Sequence, residues 1–352
     1  MPYRILALLI LASAASACQP QTDVKQESPN KISNPQSPRS VIFDTDFGGD
    51  ADDLGALIML HRYADEGLID LLAVGSWARE EKAIQAIDAV NTYYGRPDLA
   101  LGVRKVAPWV TEWSYAYPIA ERFEYDVDHH SAPDVVSLYR EKLSQAADRS
   151  VTIITVGPLA NIKNLIESAA DKHSPLSGDE LINQKVKQFV VMGGRFPEGG
   201  VAGQPEWNFS GNMPGVTKFV LNAIERPMVF SGFEVGKALT VGSAIEDFDP
   251  QSPLHIGYEH FSQYAPWMKN DFIGTILDNA SFDQSAVMYA ALPDHGLAEH
   301  WVLSKAGKVS ASEEGASSWT ETPAGNHRYM ILVGDTARTA DMILNQMMYS
   351  PN

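Results

Sequence analysis

One cysteine, Cys18, is all that the 352 residues contain. A lone cysteine excludes an intramolecular disulfide and a thiolate cluster as the source of stability. Positive charge is also scarce: 27 Lys and Arg stand against 44 Asp and Glu, a formal net charge of −17 with a pI near 4.9. That balance argues against a nucleic-acid partner, whose phosphates demand a basic surface. The nine histidines are scattered, and no pair has the spacing of a zinc site. No internal repeat is visible, and no apolar run suits a mature transmembrane helix. What the chain does have is 45% hydrophobic residues, seven Trp and thirteen Tyr, enough to bury a large core and to argue against disorder.

The first residues have the pattern of a targeting segment. Arg4 supplies positive charge, Ile5 to Leu11 an apolar run, and Ala15-Ser16-Ala17 the small residues of a cleavage point. Residues 1–17 are therefore expected to be a signal peptide. Ala-Ser-Ala-Cys18 resembles a bacterial lipobox, with Ala15 where Leu is usual. The resemblance implies that Cys18 is lipidated and that the protein is exported, periplasmic or anchored to the outer membrane. Simple cleavage leaving a free Cys18 is the alternative. Gln19 to Ser40 is rich in Pro, Ser, Gln and Asn and lacks aromatics, so 18–38 reads as a flexible tether to a domain over 39–350. Any membrane contact would then run through the lipid anchor only.

The domain is organised around Val41-Ile-Phe-Asp-Thr-Asp-Phe-Gly-Gly-Asp-Ala-Asp-Asp-Leu-Gly-Ala-Leu57. Three apolar residues form a short buried strand, and Leu54, Leu57, Ile58 and His61 have helical spacing. The turn between them holds two glycines and the carboxylates Asp44, Asp46, Asp50, Asp52 and Asp53. Charges so crowded repel one another unless a cation neutralises them, and an all-oxygen set favours Ca²⁺ or Mg²⁺. Capping of the helix by Asp52 or Asp53 would occupy one carboxylate and leave the others unexplained.

Strand and helix signals then alternate. Strands are expected over 71–75, 99–103, 151–156, 186–192 and 228–231, and helices over 80–94, 134–147, 159–170 and 214–223. An aromatic-rich connection over 105–132 is too long for a plain loop and suits the rim of a site. Such alternation predicts a single α/β domain, a mainly parallel open sheet flanked by helices with a Rossmann-like core. The acidic turn then lies at the carboxyl end of a strand, where open sheets hold ligands.

Three chemistries compete for that turn. An EF-hand loop would accept Asp44, Asp46 and Gly49, but it needs a bidentate Glu where Gly55 stands, and a flanking helix in place of the strand. A haloacid-dehalogenase-type phosphatase also places Asp-x-Asp after a strand, here Asp44-Thr-Asp46, yet gives no reason for Asp52-Asp53.

The third rests on five segments. Asp44-Thr-Asp-Phe-Gly-Gly-Asp-Ala-Asp-Asp53 resembles the signature of the nucleoside hydrolase family of the inosine-uridine-preferring type. Thr155-Val-Gly-Pro-Leu-Ala-Asn161, Met192-Gly-Gly194, Pro205-Glu-Trp-Asn208 and Ser281-Phe-Asp-Gln-Ser-Ala286 resemble its later motifs, in family order. The resemblance implies a Ca²⁺ site made by Asp46, Asp53, the carbonyl of Val156 and Asp283. It implies ribose contacts from Asp52, Glu206 and Asn208, with Met192 packed nearby, and Asp46 as the base that takes a proton from water. Its implied activity is hydrolysis of the N-glycosidic bond of a small-molecule nucleoside or riboside through an oxocarbenium-like state, which carboxylates around the sugar stabilise. Assembly into a homo-oligomer is left open.

Taken singly, the residues also have blander readings. Glu206 and Asn208 are ordinary loop residues, Met192 plain core, and Asp283 the cap of a helix over 284–291. His255, Tyr258, His260, Tyr264 and Trp267 sit on a segment that either covers the base or serves core and surface. Two positions depart from the family pattern: Phe282 stands where a His often protonates the leaving base, and Gly200 where an Asn grips the ribose. These departures raise a different class of function, an exported Ca²⁺-dependent ribosyl-binding protein with little turnover.

Overall fold

The computed structural model describes Met1 and residues 37–77, 80–107, 111–197, 203–292 and 297–351. Cys18, the expected signal peptide after Met1, all of the expected tether but its end, and Gly200 lie outside them. Among the described residues there are twelve strands: β1 Arg39–Thr45, β2 Ile69–Ser76, β3 Leu101–Val103, β4 Val151–Thr155, β5 Val186–Met192, β6 Met228–Ser231, β7 Thr240–Val241, β8 Asn279–Ala280, β9 Trp301–Leu303, β10 Gly307–Ala311, β11 Ser317–Glu321 and β12 His327–Leu332. The helices are α1 Asp52–Asp65, α2 Ala83–Tyr93, α3 Ala116–Arg122, α4 Val135–Gln145, α5 Ala160–Glu167, α6 Gly178–Lys185, α7 Trp207–Ser210, α8 Val216–Ala223, α9 Phe233–Lys237, α10 Pro253–Tyr264, α11 Phe282–Ala291 and α12 Thr336–Met347.

Ten strands join in one sheet of order β11-β10-β12-β6-β5-β4-β1-β2-β3, with β9 paired to β12. From β3 through β6 to β12 the strands are parallel; β9, β10 and β11 are antiparallel additions. Side chains alternate across the sheet, as a period of two requires. Val41 and Phe43 enter one core with α1, α2, α10 and α11, while Ile42 enters the other with α4, α5, α6 and α8. The expected single α/β domain with a mainly parallel sheet is what forms.

Several boundaries move. The second helix starts at Ala83, because Glu80 is a buried carboxylate that accepts from the Glu81 and Thr111 backbone N–H groups. Helix α5 ends at Glu167, short of the expected 170. The long aromatic connection contains α3, which packs against α2 and α10. Helix α6, unanticipated, opens with a capping box between Ser177 and Glu180.

The strand order explains where a ligand must sit. Sequence neighbours run outward from β1 to β3 in one direction and from β4 to β6 in the other, so chain direction switches between β1 and β4. The crevice at the carboxyl ends of these two strands is the site that such sheets offer. β1 delivers Asp44, Thr45 and Asp46 there, and β4 delivers Thr155 and Val156.

Candidate active site

At the end of β1 the chain turns through Gly48, whose φ of 115° lies where L side chains are strained. A Cβ there would come within 3.0 Å of Glu80 and Ser114. The Gly48 N–H donates to the Tyr115 hydroxyl at 3.0 Å, which fixes the turn against the connection before α3. Asp52 and Asp53 are the first two residues of α1. Asp283 lies in the first turn of α11, after Ser281 at the cap, so it is not the cap itself. The amino ends of two helices thus face three carboxylates, an arrangement that favours negative charge only partly.

Carboxylate oxygens of Asp52, Asp53 and Asp283 all lie within 4.8 Å of one another, in buried positions. Thr45 donates its hydroxyl to Asp53. The Asp53 and Asp283 backbone N–H groups donate to Asp52 at 3.1 and 3.3 Å. Burial, then the charges of Asp50, Asp53 and Asp46, pushes the Asp52 carboxyl well above the usual range. Burial and the charges of Asp52, Asp53, Asp46 and Asp50 do the same to Asp283. An all-oxygen donor set with unfavourable mutual repulsion fits a hard divalent cation.

The neighbouring walls come from β4, β5 and α7. The Val156 N–H donates to the Asp44 carbonyl at 2.8 Å. The Asn208 amide donates to the carbonyls of Val156 at 2.8 Å and Met192 at 3.2 Å, tying together the ends of β4 and β5. Glu206 caps α7 by accepting from the backbone of Asn208 and Phe209, and it also accepts from Gly194 at 3.0 Å. Burial pushes its carboxyl up to about 7 against the lowering effect of those three N–H groups. The Trp207 indole donates to Asp46 Oδ2 at 2.8 Å.

These residues share one cavity of about 380 Å³. All nine expected site residues line it: Asp46, Asp52, Asp53, Val156, Met192, Glu206, Asn208, Phe282 and Asp283. Sequence reasoning missed Arg195, Trp207 and Phe233 as wall residues; only their places beside Gly194, between Glu206 and Asn208, and after β6 hinted at them. Of the covering segment, Trp267 does line the cavity. His255 is instead buried and bonds the Ile245 carbonyl at 3.1 Å, Tyr258 is buried beside Gln284, and the His260 ring packs at a tilt against Tyr264. Among the described residues no histidine lines the cavity.

Asp44 is absent from the lining. It is fully buried, bonded by Tyr139 and by Asn161. A phosphatase of the haloacid type would need this carboxylate exposed as its nucleophile, and that reading is set aside.

Comparison with solved structures gives the same architecture. A plant nucleoside hydrolase superposes with a TM-score of 0.64 at 15% identity, over 88% of this chain and 99% of that one. The inosine-uridine preferring nucleoside hydrolase of Bacillus anthracis gives 0.61 at 14%, over 88% and 99%. The type III effector XopQ, solved with adenosine diphosphate ribose, gives 0.57 at 13%, over 90% and 93%. At such identities the likeness establishes the fold. Comparison with curated protein sequences gives no match. The sequence profile described as inosine-uridine preferring nucleoside hydrolase matches residues 41–333, most of the chain, and the protein belongs to that family.

Proposed function

We propose that this N-glycosidase hydrolyses ribonucleosides or related ribosides with Ca²⁺ as its resident ion. The observation that carries the reading is the buried group of Asp52, Asp53 and Asp283 on the floor of the cavity at the β1/β4 switch point. Asp46, Asp53, the Val156 carbonyl and Asp283 are assigned to the ion. When bound, it neutralises the carboxylates and makes nearby water more acidic. Asp46, oriented by Trp207, accepts the proton of the attacking water. Asp52, Glu206 and Asn208 hold the sugar hydroxyls, and the surrounding carboxylates stabilise positive charge as it develops on the ring. Phe233, Phe282 and Trp267 supply flat apolar faces against which a heteroaromatic leaving group stacks.

Asp52 lies as close to Asp53 and Asp283 as a ligand would. Two variants separate the assigned roles: Asp46→Ala should weaken Ca²⁺ binding, whereas Asp52→Ala should mainly weaken sugar binding. Assay of the purified protein on inosine, uridine and nitrophenyl riboside, with Ca²⁺ and with chelator, tests the activity. The activated riboside should be cleaved far faster than either nucleoside, since Phe282 cannot donate a proton. A binding protein with little turnover is the second reading, favoured by the lack of a histidine among the described lining residues; tight riboside binding without turnover would establish it. We also propose export and lipidation at Cys18. Labelling with a fatty acid should mark the wild type and not Cys18→Ser, and equal labelling of both would refute it.

A further inference from the structure

Charge is distributed unevenly around the cavity. Its lining includes Asp46, Asp50, Asp52, Asp53, Glu206 and Asp283, while Arg195 is the sole cation among the described lining residues. The Arg195 guanidinium lies over the Phe233 ring, with Cζ 3.7 Å from the centroid. Phe233 in turn stacks on Phe282, with centroids 5.2 Å apart and planes inclined by 30°. Arginine, Phe233 and Phe282 therefore make one continuous wall, and it begins at the position where a proton donor for the leaving group is missing.

The arginine is positioned by neutral groups. Its backbone N–H donates to Ser317 Oγ at 2.8 Å, and its carbonyl accepts from the same hydroxyl at 2.8 Å. Its Nε donates to the Pro205 carbonyl at 3.3 Å. No carboxylate among the described residues forms an ion pair with it, although six line the same cavity. A guanidinium lying on a ring keeps its remaining N–H donors in its own plane, at the edge of the stack. A flat base stacked on that wall would present its heteroatoms to those donors.

We infer that Arg195 stabilises the negative charge that develops on the leaving base, in partial replacement of the proton that Phe282 cannot give. The inference rests on the N-glycosidase reading. The C1′–N bond breaks with both electrons going to the base nitrogen, and the base departs as an anion held by the guanidinium. The water oxygen forms the new bond to C1′ and passes a proton to Asp46. Asp46 releases that proton to solvent, and the base takes one from solvent. The sum is riboside plus water giving ribose plus neutral base. A guanidinium acts here by charge and hydrogen bonding and is not the proton source.

The test compares kcat/KM of the full-length wild type, Arg195→Gln and Arg195→Lys on inosine, uridine and nitrophenyl riboside. Arg195→Gln should lose about 10²-fold on the nucleosides, the scale of one lost transition-state donor, and only a few-fold on the activated riboside. The loss should fall mainly on kcat, and Arg195→Lys, which keeps the charge, should recover part of it. Equal losses on all three substrates, or none on the nucleosides, would overturn the assignment. If the wild type turns over none of the ribosides, the N-glycosidase reading fails and takes this inference with it. If it turns over both classes and Arg195→Gln does likewise in unchanged ratio, only the inference fails.

Discussion

Asp44 and the trio Asp52, Asp53 and Asp283 are almost equally hidden from water, at 0%, 3%, 2% and 3% exposure. Their surroundings differ. One oxygen of Asp44 receives the Tyr139 hydroxyl and, at 2.8 Å, the Asn161 amide. Gly75 on the adjacent strand makes that possible, because a Cβ there would lie 1.7 Å from the tyrosine oxygen. Even so, burial outweighs these donors and pushes the Asp44 carboxyl up to about 7. The trio has helix amino ends and a threonine hydroxyl nearby, but the charges pressing on Asp52 and Asp283 are other carboxylates. The chain thus gives one oxygen of the first carboxylate its own donors and closes over the whole group, with Oδ1 left without a hydrogen-bond partner. It leaves the second facing a cavity, where in the reading proposed above an added ion completes the balance. Burial of a carboxylate is therefore no sign of function by itself; incomplete compensation beside an open cavity is.

The comparison breaks most sharply at the ion. Asp53→Ala should reduce Ca²⁺ affinity below what calorimetry detects, whereas Tyr139→Phe, which perturbs only the closed site, should leave it within about threefold. Unchanged affinity in Asp53→Ala would refute the ligand assignment. Next in size is catalysis: Asp46→Asn should lower kcat/KM by about 10²–10⁴-fold on nucleosides and activated riboside alike, because the proton acceptor serves both. The third effect is thermodynamic. Tyr139→Phe removes a donor from a buried acid and should cost about 1–3 kcal/mol in denaturant unfolding. Chelation should lower the wild-type melting temperature and barely move that of Asp53→Ala, since an ion that binds only the folded state stabilises it.

A further effect concerns a buried group that the fold handles by keeping it neutral. His61 stacks on Tyr94 and bonds Asn91 at 2.8 Å; burial, then the Arg96 charge, holds it down to about 3. Between that value and the ordinary histidine range near 6.5 the unfolded chain binds a proton that the native one does not. Its contribution is complete above about 6.5 and is lost as pH falls toward 3. His61→Gln should flatten that limb of a melting-temperature profile; an unchanged slope would mean that other groups set it.

Local signals made much of this legible. β-branched and apolar runs marked β1 and β4, the crowded aspartates marked the turn, and five short segments in order carried the family. The capping box at Ser177 and Glu180 was there to be read as the start of α6, but its flanking pattern is short. Arg195 and Phe233 were not legible, because nothing local tells an exposed arginine from one laid on a ring 38 residues further along the chain. Trp207 was visible inside the Pro205-Glu-Trp-Asn208 segment, yet its bond to Asp46 exists only once β1 and α7 are brought together. The antiparallel strands β9, β10 and β11 were missed for a related reason: β9 is only three residues long, β10 and β11 are short and largely polar, and their place is set by pairing at the edge of a finished sheet.

That edge has a consequence for how the protein is made. Ser317, at the start of β11, holds both the N–H and the carbonyl of Arg195 and accepts from the Gly203 N–H through its own carbonyl; its neighbour Ala316 bridges to Pro205. The ribosome delivers the acidic turn early and this clasp late. A nascent chain therefore carries Asp46, Asp52 and Asp53 long before Asp283 and then the clasp emerge, and activity must await the last strands. Truncation or proteolytic nicking ahead of residue 317 should accordingly give a species that still binds an ion but no longer has an ordered wall for the base.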